Sequence, residues 1–343
     1  MDNRVILAVA GSGKTSHIID SLRATGRSLV VTYTENNYKN LHYRITAEYG
    51  CIPDHIRLHT YFSFLYSFCL RPFLGDSLRF RGINWNEPPE FTRTIKRTEE
   101  RYYLDKGQRL YYSRMARLLS EKGLVPDVSR RLLKYFDSFF IDEVQDFAGH
   151  DFNFLCELAS TDVRTVLVGD FYQHTFDTSR DGNINMNLHK DLTTYKNKLK
   201  GKDYYIDDTS LGKSYRCSPT VCAFVSINIG IDIKSHRDDE TNVEYVDSEE
   251  RADQLFHQSD IVKLFYQSHQ KYPCFSNNWG ASKGIDSYGS VCVVLNDKTD
   301  KLYKSGELTS LLPTTRNKLY VACTRSKADI YFVPEKYYSK YKT

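Results

Sequence analysis

Three short runs gather the residues that can do phosphate chemistry. AVAGSGKT (residues 8–15) has the glycine spacing of a phosphate-binding loop, although Ala8 stands where the strict motif opens on glycine. In such a loop, backbone N–H groups at a helix N-terminus cradle an anion. The nucleotide-contacting stretch runs through Ala10, Gly11, Ser12, Gly13, Lys14, Thr15 and Ser16. Lys14 is placed to reach the β- and γ-phosphates, and the Thr15 hydroxyl to ligate Mg²⁺. FFIDEVQD (139–146) supplies the carboxylates such a loop needs: Asp142 for the Mg²⁺ shell and Glu143 to polarise an attacking water. VLVGDFYQHTF (166–176) adds Gln173, three residues past Asp170, which by itself reads either as an ordinary turn or as a sensor of the γ-phosphate.

These runs need strands to present them. RVILAVA (4–10), SLVVTYT (28–34), IRLHT (56–60), SFFIDEV (138–144) and TVLVGD (165–170) are short apolar runs rich in β-branched residues, with helix-like stretches between them. Buried strands alternating with helices predict a doubly wound parallel sheet, with functional residues at the carboxyl ends of the strands. A second set follows: YYID near 204, SVCVVL at 290–295 and DIYFV at 329–333, with helices at 218–229 and 314–326. It predicts a second α/β unit. Residues 86–137 fit neither sheet and read as mostly helical. Between Arg93 and Lys134 there are twelve Lys/Arg against five Asp/Glu, interleaved with Tyr102, Tyr103, Tyr111 and Tyr112. That mixture suits either a single-stranded nucleic-acid track or a solvated helical face. The stretch 234–260, with HRDDE and DSEE, reads as acidic surface loop and helix.

Composition excludes other classes. With 41% hydrophobic and 26% charged residues over 343 positions, the chain has the apolar content to fold, which argues against disorder. No run approaches the roughly 20 apolar residues of a membrane span. The N-terminus enters a strand and a glycine loop at once, which leaves no signal peptide to expect. The eight cysteines are scattered without a CxxC pair, pointing to reduced thiols, a cytoplasmic setting and no zinc site. A formal charge of +4 is too small to argue for nucleic acid by itself.

Taken in order, AGSGKT, VVTYTENN, HTYFSF, IDEVQD, VGDFYQ, LGKSYRC, SKGIDSYGSVCVVL and LYVACTRSK resemble the motifs of superfamily 1 helicases of the UvrD/Rep type, from about residue 5 to 333. The resemblance implies two RecA-like lobes: residues 1–200 with a basic helical insertion at about 86–137, and residues 201–343. It implies ATP and Mg²⁺ as cofactors, with Lys14, Glu143 and Gln173 joined by Arg216 and Arg325 as γ-phosphate arginines from the second lobe. Tyr215 resembles the residue that stacks on the nucleotide base, and Asp286 replaces a glutamate that contacts ribose. Thr32, Tyr33, Thr34 and Asn36 resemble one element that grips single-stranded DNA, and His59, Thr60 and Phe62 the next. Tyr172 and Phe176 are placed to stack on bases.

The expected activity is ATP-driven translocation on single-stranded DNA, 3′ to 5′, with hydrolysis tied to lobe closure. An RNA strand would stack as well, because aromatic rings do not distinguish the sugars. The second reading is a DNA-gated ATPase subunit that signals to a protein partner such as a nuclease in antiviral defence or repair. Departures from the family bear on both. No glutamine precedes the phosphate loop to read adenine, and Ser16 stands where an arginine often follows. The space between Arg216 and Lys283 is too short for the large second accessory domain, so translocation is expected more than unwinding.

Overall fold

The computed structural model describes residues 3–23, 26–158, 163–175 and 183–343. The chain divides into two compact units. The first takes the chain up to Ile6, Thr15–Gly169 and the stretch ending at Asp207; the second takes Leu7–Lys14, the stretch from Asp170, and Asp208–Thr343.

The first unit is built on six strands, β1 (Arg4–Leu7), β2 (Ser28–Thr32), β3 (Ile56–Thr60), β4 (Ser138–Asp142), β5 (Arg164–Gly169) and β6 (Tyr205–Asp207), in the order β3-β2-β4-β5-β1-β6. Strand β2 pairs in parallel with β3 and β4, β4 with β5, and β1 with β6. Every residue of β2 and β4 is buried, which is why SLVVT and SFFID do not alternate between apolar and polar. Helices α1 (Lys14–Arg23), α2 (Glu35–Tyr49), α3 (Met115–Glu121), α4 (Val125–Tyr135) and α5 (Gly149–Leu158) lie between the strands in sequence. Helix α2 begins where Thr34 Oγ1 accepts the Asn37 N–H at 3.2 Å and ends at Gly50, whose φ of 79° suits glycine.

Two features differ from the sequence reading. The YYID run does not open the second unit: Tyr205–Asp207 adds to the first sheet beside β1, with Arg4 opposite Tyr205 and an Arg4–Asp207 ion pair at 3.7 Å. Periodicity identifies a strand but not the sheet it joins. The longer helices of the insertion begin only at Met115. Before it, Pro88, Pro89 and Gly107 interrupt the chain, leaving short turns at Glu90–Thr94 and Glu100–Tyr103 and a ladder of Ile83–Asn84 with Leu110–Tyr111. Tyr102, Tyr103 and Tyr111 are buried, and the Arg114 guanidinium stands 3.8 Å from the Tyr102 ring centre. Those tyrosines and Arg114 are therefore packing rather than an open track.

The second unit carries β7 (Val243–Tyr245), β8 (Val262–Phe265), β9 (Ser276–Asn278), β10 (Val291–Leu295) and β11 (Ile330–Pro334), all parallel, in the order β7-β11-β10-β8-β9. Helices α6 (Pro219–Phe224), α7 (Glu249–His257), α8 (Asp297–Lys304) and α9 (Pro313–Cys323) belong to it. Strands β7 to β9 were not legible in the sequence. VKLF is masked by Lys263, which is fully buried in β8 with its ammonium donating to the carbonyls of Gln258 and Ile261. Two parallel α/β sheets, the first carrying a small insertion, make the RecA-like two-lobe architecture that the motif order implied.

Candidate nucleotide and nucleic-acid sites

In the first unit, β4 ends on the two acidic residues. Asp142 is buried, and its Oδ1 accepts the Glu143 N–H at 3.0 Å. Glu143 has φ 58°, a left-handed conformation uncommon for a residue with a Cβ. It swings the chain out of the strand into the turn Val144–Asp146, and its carboxylate accepts a hydrogen bond from Gln145 Nε2. Strained residues persist where neighbours over-determine them. Here the neighbour is Gly169, at the end of β5. A Cβ there would lie 2.8 Å from Val144 Cγ1, 3.0 Å from Val144 N and 2.3 Å from Gln145 Oε1.

Strand β5 lies between β4 and β1. At about 4.8 Å per strand, the carboxyl ends of β1 and β4 are roughly 10 Å apart. Thr15, in the first turn of α1, and Asp142 offer hydroxyl and carboxylate oxygens, the hard donors Mg²⁺ prefers alongside phosphates and waters. This donor set fits the ion.

The phosphate loop belongs to the second unit, and its surroundings there are specific. Val9 N–H donates to Leu211 O at 3.0 Å, and Tyr215 N–H to Gly11 O at 2.9 Å. Gly11 has φ 71°, and a Cβ on it would meet Arg216 Cβ at 2.6 Å. Ser12 Oγ is buried without a hydrogen-bond partner among the described residues, a vacancy that a phosphate oxygen would satisfy. The Tyr320 hydroxyl accepts the Ala10 N–H and donates to Asp170 Oδ2, both at 2.9 Å. Asp170 Oδ2 also accepts from Gln173 Nε2 at 2.8 Å. Gln173 is thus tied, through Asp170 and Tyr320, to the backbone of the phosphate loop. Both are buried, so each hydrogen bond holds position in a low dielectric.

The two arginines converge on one acid. Arg216 forms an ion pair with Asp286 and donates to Thr324 O at 3.0 Å; Arg325 stands 3.5 Å from Asp286 and donates to Ile285 O at 3.3 Å. Arg325 is buried, and burial together with the nearby Arg216 pulls its pKa down to about 10, partly offset by Asp286. Cys217, whose thiol donates to Thr324 O at 3.7 Å, is held below the usual thiol range by the neighbouring Cys222, with Arg216 and Arg325 adding to the effect against its burial. Tyr215 is 64% exposed, with its ring stacked on His236 at 4.0 Å and 11°.

The residues expected on a nucleic-acid strand fall into three groups. Tyr33 and Phe62 meet in one aromatic cluster, 5.6 Å apart, with Phe147 5.6 Å from Tyr33. Thr34 and Thr60 use their oxygens as helix caps, Thr60 for Ser63 N–H at 3.3 Å. A capping hydroxyl still has its own proton to donate. Asn36 is exposed; His59 is half-buried, its pKa lowered by burial and by Arg57. Thr32 is fully buried. Tyr172 lies in the second unit, half-buried, 6.1 Å from the Tyr320 ring. Phe176 lies outside the described residues.

Sequence reasoning passed over Gly169, Tyr320, His236 and Trp85. A glycine before the aspartate at a strand end was the available signal for the first; nothing in the sequence pairs Tyr320 with Asp170 across 150 positions.

Fold and site geometry together define a class: an α/β protein of two RecA-like lobes, each built on a parallel sheet. Among solved structures, the chain is similar to arterivirus nonstructural protein 10, a helicase, both in complex with DNA (TM-score 0.51, 13% identity) and by itself (TM-score 0.50, 13% identity). Each comparison covers 96% of this chain, against 60% and 59% of those proteins, so the chain spans about three fifths of their length. The likeness is one of fold alone and does not single out the UvrD/Rep branch. Comparison with protein-family models and with curated proteins returns no match. Among the described residues, no helix is long and apolar enough to cross a membrane.

Proposed function

We propose that this chain is an ATP-driven translocase of the UvrD type on single-stranded DNA, moving 3′ to 5′. The observation that carries the reading is the strained Glu143 beside Asp142, two strands from the strand that feeds the phosphate loop. A left-handed glutamate held in place by a glycine on the next strand is costly geometry, of the kind found at catalytic sites.

In this mechanism Lys14 and the loop N–H groups bind the β- and γ-phosphates, while Thr15 and Asp142 hold Mg²⁺, which supplies charge neutralisation when bound. Glu143 orients the attacking water and accepts its proton. Gln173 reports on the γ-phosphate through Asp170 and Tyr320. Arg216 and Arg325 stabilise charge on the transferring phosphoryl group once released from Asp286, and Tyr215 stacks on the base. Stacking reads a ring face rather than its edge, so other nucleoside triphosphates are expected to serve beside ATP. Tyr33 and Tyr172 grip bases, the buried Phe62 supports Tyr33 from behind, and alternation of grips with lobe closure moves the strand.

The test is steady-state ATP hydrolysis with and without single-stranded DNA, beside single-stranded RNA and the other triphosphates. Turnover stimulated by single strands is expected, and loss of at least about a hundredfold in Lys14→Ala and Glu143→Gln. Turnover that survives both substitutions overturns the proposal. Stimulated hydrolysis without displacement of a roadblock from the strand assigns the same residues to a gate acting through a protein partner.

A further inference from the structure

We propose that Trp85 and Tyr112 form a base-stacking shelf for single-stranded nucleic acid, with an arginine-lined pocket beside it for the backbone phosphate. The proposal rests on the nucleic-acid reading above and adds a site that neither the motifs nor the comparisons assign.

The chain has two tryptophans with opposite fates. Trp279 is fully buried, whereas Trp85 is 61% exposed. A large exposed apolar ring is informative where an exposed leucine would not be. Trp85 is also held in place from beneath. It follows the two-residue strand Ile83–Asn84, whose pairing with Leu110–Tyr111 brings it to Tyr112. The two rings are stacked at 6.1 Å and 28°. Phe62 meets both in T-shaped contacts, at 5.1 Å from Trp85 and 5.7 Å from Tyr112. Asn84 anchors the segment by donating to Asp105 at 2.8 Å and accepting the Asn86 N–H at 3.0 Å. An indole fixed this way offers a face to a planar ligand with little side-chain entropy left to lose.

Two observations name the ligand. First, the shelf is continuous with Phe62 and through it with Tyr33, the aromatic residues expected on a single strand. Second, the Tyr112 hydroxyl donates to Glu87, and Glu87 lines a cavity of about 370 Å³ together with Arg93, Arg97, Arg114 and Arg117. Glu87 is the one carboxylate among its described lining residues. Arg93 and Arg97 are exposed, and guanidinium groups are the natural partners of phosphate oxygens. Stacking face and cationic pocket, joined through Tyr112 and Glu87, match a nucleotide with an open base. A duplex keeps its base faces covered and cannot use the shelf.

The tryptophan distribution provides the readout. A short fluorescently labelled deoxythymidine strand is titrated with the full chain, following label anisotropy for binding and tryptophan emission for stacking. Binding with quenched emission is expected in the wild type and in Trp279→Phe, so that the signal belongs to Trp85. Trp85→Ala is expected to weaken affinity about 5- to 100-fold while Trp85→Phe retains most of it. Arg93→Ala with Arg97→Ala is expected to lower the slope of log K against log salt by about 1.4, two phosphates at about 0.7 each.

All three positions are exposed, so a circular dichroism spectrum matching the wild type is expected to accompany these losses. Strand binding that leaves the emission unchanged, or that is indifferent to Trp85→Ala, overturns the shelf and leaves the proposed function standing. Failure of the wild type to bind any single strand overturns the nucleic-acid reading and the shelf with it.

Discussion

At the scale of single residues, the chemistry depends on close approach. Glu143 keeps its left-handed backbone because the Val144 N–H and the Val144 and Gln145 side chains lie against a glycine that cannot push them away. Gly169→Ala adds one methyl group where backbone stands 3.0 Å off, and the turn must shift to admit it. A displacement of about 1 Å at a catalytic group can cost on the order of a hundredfold in rate. We expect Gly169→Ala to lower kcat for ATP about 10- to 100-fold and to lower stability by about 1–3 kcal/mol. Steady-state kinetics beside a denaturant titration checks this. A variant with wild-type kcat would show that the turn after β4 tolerates movement and that the glutamate's strain is incidental.

Elements have two employments here. Helix α2 is capped by Thr34, and the turn after β3 by Thr60, so two threonines singled out as strand-gripping are also structural. The two roles separate by substitution. Thr34→Ser keeps a capping hydroxyl and is expected to keep both stability and strand affinity. Thr34→Ala should lose about 1 kcal/mol of stability through the cap, measured by denaturant midpoint. If it also weakens strand binding by anisotropy more than Thr34→Ser does, the hydroxyl proton is in use by a phosphate; equal affinity in both variants confines Thr34 to capping. The insertion makes the same point on a larger scale. Its charge and tyrosine counts were plain in the sequence, but Arg114 and Tyr102 are spent on each other inside, and only tertiary structure sorts buried arginines from the exposed Arg93 and Arg97.

For the whole molecule, proton linkage gives a further expectation. His17 and His59 both have pKa values lowered from 6.5, chiefly by burial, with nearby arginines contributing. The unfolded chain therefore binds protons at these two sites more readily than the folded one. Their contribution to stability is fully present above about 6.5 and is lost as pH falls from there through the lowered folded values. Both lie in the first unit, so urea midpoints taken at neutral pH and below 6.5 should fall with acid, and His59→Gln should flatten part of the dependence. A midpoint that rises with acidification over this window would contradict the burial of both rings.

The sequence alone determined what is local. The glycine loop between β1 and α1, the buried strands β1 to β5, the paired acids at the end of β4 and the parallel α/β class follow from chemistry repeated over a few adjacent positions, where residue type fixes backbone preference and burial. Its motif order also implied two RecA-like lobes. It did not determine what depends on pairing between distant segments. Tyr205–Asp207 was assigned to the wrong sheet because an edge strand carries no mark of its neighbour. Strand β8 was hidden because a buried lysine can be satisfied by carbonyls that only folding supplies. The Tyr320–Asp170–Gln173 chain, the shared hold of Asp286 on Arg216 and Arg325, and the ring shelf at Trp85 all join residues far apart in sequence. Tertiary structure decided them, because a hydrogen bond or a stacked ring depends on distance in space, which a sequence read locally does not contain.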